Sequence, residues 1–142
     1  MRAGGLEDLG SVTDALYQTE LARMQAILRE EARLRAALAR LAAHHESNLG
    51  LVEADPGGLR QIGGDILWRS WVGRNKAELQ SELARVLGMK GQMIPRLRRA
   101  FGKTQAVAGI RAKERADQRR QHTARGEVVL AQIALLDRVQ RR

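Results

Sequence analysis

The 142-residue chain contains no cysteine. Disulfides, thiol nucleophiles and Cys-ligated zinc are therefore excluded. Only four residues are aromatic: Tyr17, Trp68, Trp71 and Phe101. Compact cores are usually anchored by aromatic and β-branched side chains. With so few of them, the apolar surface suits a narrow seam between helices. There are two prolines, Pro56 and Pro95. No apolar run approaches the roughly 20 residues that span a bilayer. The opening MRAGGLEDLGS lacks the apolar stretch of a signal peptide. A cytoplasmic location without membrane insertion is the expectation.

What is present favours helix. Ala, Leu, Arg, Glu and Gln dominate, and these are strong helix formers. The net charge is +9 and unevenly spread. Residues 1–60 carry seven basic and nine acidic groups, residues 61–95 five and three, and residues 96–142 thirteen and four. The basic character thus belongs to the last third. It fits nucleic acid, an acidic membrane surface or an acidic protein, and charge alone does not choose among them.

Ser11 to Asp14 reads as a helix start, a hydroxyl followed three residues later by an acid, with the helix extending back to about Leu6. Met24, Ile27, Glu31, Leu34, Leu38, Leu41 and His45 alternate by three and four, which is a heptad seam. Leu16, Leu21 and Leu28 widen the stripe. A first helix over about 6–47 follows. Residues 48–65 (NLGLVEADPGGLRQIGGD) hold five glycines and a proline and predict a loop, with Asp65 capping the next helix. Lys76, Leu79, Leu83, Val86, Lys90, Met93, Leu97, Ala100, Thr104 and Val107 form a second seam, on a helix over about 66–122. Residues 111–125 are almost wholly polar. After Gly126 the sequence VVLAQIALLDRV predicts a short C-terminal helix over about 126–140, with Val129, Ile133, Leu136 and Val139 on one face. The expected fold is all-α, a single domain over 1–142. It is an antiparallel two-helix coiled-coil hairpin with a long mid-chain loop and that short third helix.

Leu87-Gly88-Met89-Lys90-Gly91-Gln92-Met93-Ile94 matches the apolar-GxxG-apolar core of the KH signature, whose loop clamps a nucleic-acid backbone. Two observations favour helix instead. No alternating strand segments flank it, and the heptad phase passes through both glycines without a slip. Each interior glycine costs about 1 kcal/mol against alanine. Pro95 costs about 3 kcal/mol unless the helix bends. A long seam absorbs such costs with a kink near 91–95.

Other candidate sites are thin. His44 and His45 point about 100° apart on a helix, so they do not converge on a metal. The glycine pairs 57–58 and 63–64 lack the spacing of a phosphate-binding loop and read as turn residues. No residue sits in a recognisable nucleophile setting. No catalytic residue, cofactor or metal is expected. Trp68 and Trp71 share a helix face. They either pack beneath the predicted loop or form a protein-docking patch with Val72, and both can hold together. The basic run Arg96 to Arg125 is either a solvated helix face or a surface for acidic protein or phosphate. Its candidate residues are Arg96, Arg98, Arg99, Lys103, Arg111, Lys113, Arg115, Arg119 and Arg120. Phe101 is its only aromatic, which weakens a nucleic-acid reader that stacks bases.

The residues Trp68-x-x-Trp71-Val72, the seam Leu79, Leu83 and Val86, and the block RRAFGKTQAVAGIRAKER over 98–115 resemble the FliJ family of flagellar type III export proteins. The likeness covers most of residues 6–120. It implies a small soluble coiled-coil stalk, similar to that of rotary ATP synthases. Such a stalk contacts the export ATPase ring, the membrane export gate and export chaperones, and serves motility. By that resemblance the gate-contacting surface includes Trp71, Val72, Leu79 and Leu83, with Lys76 between them, and the adjoining Trp68 completes the candidate partner-binding set. Lys76 departs from the apolar type expected there. Gly88, Gly91, Pro95 and the apolar stretch after Gly126 also depart from the family pattern. A location peripheral to the inner membrane, through an export complex, follows from the same resemblance. The alternative expectation is a basic helical nucleic-acid-binding protein using Arg96 to Arg125, with the GMKG loop as its sharpest version.

Overall fold

Long runs of helix formers, interrupted by few breakers, give two helices. In the computed structural model, which describes residues 3–54 and 59–141 and side chains over 4–50 and 63–141, these are α1 (Ala3–Ala54) and α2 (Leu59–Gln140). No strand occurs among the described residues. The chain divides into two compact units, residues 1–17 with 99–142, and residues 18–98.

In the unit of residues 18–98, the predicted seams pack on each other. Met24, Ile27, Leu34, Val86 and Met93 form the core, with Leu79, Leu83 and Leu97 packed against it. Leu34 is 0% exposed. Glu31 and Lys90 fall at seam positions in the sequence, and the structure pairs them. The Lys90 Nζ lies 2.8 Å from Glu31 Oε2. Arg35 donates to Glu31 Oε1 from Nε at 3.0 Å and from Nη2 at 2.9 Å. Burying a carboxylate is costly unless it is paired and hydrogen-bonded, and both of its oxygens are satisfied here. Arg33 adds an exposed pair, bonding Glu30 at 2.6 Å and lying 3.7 Å from Glu82 on α2.

In the unit of residues 1–17 and 99–142, the buried side chains are Leu6, Thr13 and Val107. The α1 alternation of three and four continues back through Tyr17, Thr13, Gly10 and Leu6. Arg111 reaches from α2 to α1 and donates to the Glu7 carbonyl at 2.9 Å and the Leu6 carbonyl at 3.4 Å. Its guanidinium lies over Gly10, where any Cβ would collide with it. Tyr17 and Phe101 pack with ring centroids 5.7 Å apart. In each unit, higher-numbered α1 residues meet lower-numbered α2 residues.

Several sequence expectations are corrected. Ser11 does not start a helix. It lies inside α1, and its hydroxyl donates to the Glu7 carbonyl at 3.1 Å. The loop over 48–65 is not a loop across its described residues, since 48–54 and 59–65 are helical; residues 55–58, with Pro56 and the 57–58 glycine pair, lie outside the described residues. Asp65 caps nothing, lying within α2 and pairing with Arg69 at 3.0 Å. The separate helix over 126–140 is the continuation of α2 through Gly126. The physical reason is common to all four. Extending an existing helix adds a hydrogen bond per residue, and only nucleation is expensive. A lone glycine at about 1 kcal/mol does not outweigh that.

The GMKG segment is helical, and no glycine among the described residues has positive φ. The KH-like loop is thereby overturned. Pro95 lies inside α2. Pro95 and Gly91, whose carbonyl it leaves without an i+4 donor, are both exposed. The lost bond therefore opens to solvent rather than to a dry core.

Candidate protein-contact surface

The tryptophans stand at i and i+3 on α2, so one helix face carries both. Their rings stack at 5.1 Å between centroids with 23° between planes. Trp68 is half-buried, and its Nε1 is buried without a hydrogen-bond partner among the described residues. Trp71 is 46% exposed. A stacked, partly exposed indole pair is a rigid apolar feature of the kind that concentrates binding energy.

The remaining members of the predicted contact set lie differently. Val72 is buried, and it lines a cavity of about 480 Å³ with Leu38, Leu41 and His45 of α1. Leu79 and Leu83 pack on the core. Both are half-buried there. Lys76 is exposed and borders the same cavity. The structure therefore brings Trp68 and Trp71 together on the surface, while Val72, Leu79 and Leu83 hold the two helices to each other.

The basic set also divides. Arg96, Arg98, Arg99, Lys103, Lys113, Arg115, Arg119 and Arg120 are exposed. Arg111 is not a member of that open surface, because it lies across Gly10 and binds α1 carbonyls. Its guanidinium satisfies backbone acceptors, a role that composition counts do not reveal. The paired heptad positions of Gly10 and Arg111 were the available signal.

Electrostatics in the seam centre on Glu31. The hydrogen bonds from Lys90 and then Arg35 hold its carboxyl below its ordinary value of 4.5, against the opposing effect of burial. On the surface, Arg33 similarly lowers Glu30. His45 Nδ1 is buried without a partner among the described residues, and His44 is exposed. No group of three His, Cys, Asp or Glu side chains able to hold a metal occurs among the described residues. No helix there is long and apolar enough to cross a membrane.

Comparison with known proteins found no matching family model, no similar curated protein and no similar solved structure.

Proposed function

We propose that the chain is a non-enzymatic antiparallel coiled-coil hairpin that works by helix-face contacts within a flagellar or type III protein export apparatus. Its partners would be the export ATPase ring, the membrane export gate and export chaperones. The observation that carries a contact role is the allocation of apolar residues. One set is consumed in a narrow seam between two long helices, while Trp71, stacked on the half-buried Trp68, and other large apolar side chains remain exposed. In this reading Trp68, Trp71 and Lys76 meet the partner, and Val72, Leu79 and Leu83 set the helix that presents them. The export assignment itself rests on the sequence resemblance to the FliJ family.

The test is an affinity capture with tagged full-length protein from nuclease-treated lysate of the source organism, beside a Trp71→Ala variant. The proposal expects the export ATPase or gate protein with the wild type and a loss of about tenfold or more with the variant, a hot-spot effect. Capture without any export component refutes it.

A second reading is favoured by the exposure of eight of the nine candidate basic residues. It is a nucleic-acid-binding helix, without the GMKG loop. Phosphate binding weakens steeply with salt, whereas docking through Trp71 would not.

A further inference from the structure

We draw no further inference here: the strongest candidate, the exposed apolar face of the C-terminal part of α2 that carries Val128, Val129, Ile133, Leu136 and Val139, carries nothing because nothing in the structure shows what covers it.

Discussion

Leu34 is the only large side chain among the described residues that is fully buried, so its truncation probes the seam most sharply. Leu34→Ala removes three buried carbons from a cluster made with Met24, Ile27, Val86 and Met93. The transfer loss is about 0.8 kcal/mol per methylene, or roughly 2.4 kcal/mol. A cavity term adds to this when the surroundings do not collapse, and measured Leu→Ala losses reach about 3–5 kcal/mol. The seam is only two helices thick, so side chains from both can close part of the void. The expected loss is about 3 kcal/mol, roughly a hundredfold in the folding equilibrium. Leu130→Ala is the control. Leu130 is exposed on the C-terminal part of α2, and its change should stay within about 0.5 kcal/mol in the monomer. Urea titration followed by far-UV circular dichroism, at concentrations too low for association, reads both. Equal midpoints for the two variants would refute the claim that α1 and α2 are held by this cluster.

Two further outcomes follow from the polar contacts. Glu31 has a folded-state pKa below 4.5, so its contribution is fully present above pH 4.5 and is lost as pH falls through the lower folded value. Glu31→Gln should flatten the acid limb of the stability profile measured by urea titration between neutral and acid pH, and an unchanged limb would count against the Lys90 and Arg35 bonds. At the other unit, Gly10→Ala must push the Arg111 guanidinium aside. It gains about 1 kcal/mol of helix propensity and loses two hydrogen bonds of about 1 kcal/mol each, for a net change within about 1 kcal/mol. A double-mutant cycle with Arg111→Met should then show coupling, because Arg111→Met costs less once Gly10 is replaced; additive effects would refute the contact.

The seams were legible in the sequence because burial between helices imposes a three-and-four spacing that survives polar substitutions. Glu31 and Lys90 sat in phase with Leu34 and Met93, and the structure buries Glu31 against the Lys90 ammonium. The heptad phase also runs unbroken through Gly88 and Gly91, where α2 is continuous. At Gly126 and over residues 48–54 the turn-forming composition points to breaks, and helix propagation overrides it. Ser11 and Asp65 misled for a related reason. Both residue types cap helices, but inside one they bond the preceding turn or an i+4 arginine instead. The contact set was the least legible. Val72, Leu79 and Leu83 look like docking residues in isolation, yet their area faces α1. Trp71 differs from Val72 by one helical position, and that 100° step separates an exposed side chain from a buried one.

In the unit of residues 18–98, α1 and α2 pack with Glu31 paired to Lys90. A charge-reversal cycle tests it most directly. Glu31→Lys and Lys90→Glu are each expected to lower the melting temperature by placing like charges together in the seam. The double variant restores an opposite-charge pair, with Arg35 still able to serve the carboxylate, and should recover most of that loss. Losses that simply add in the double variant would contradict the register, and with it the helix pair on which the proposed contact surface is built.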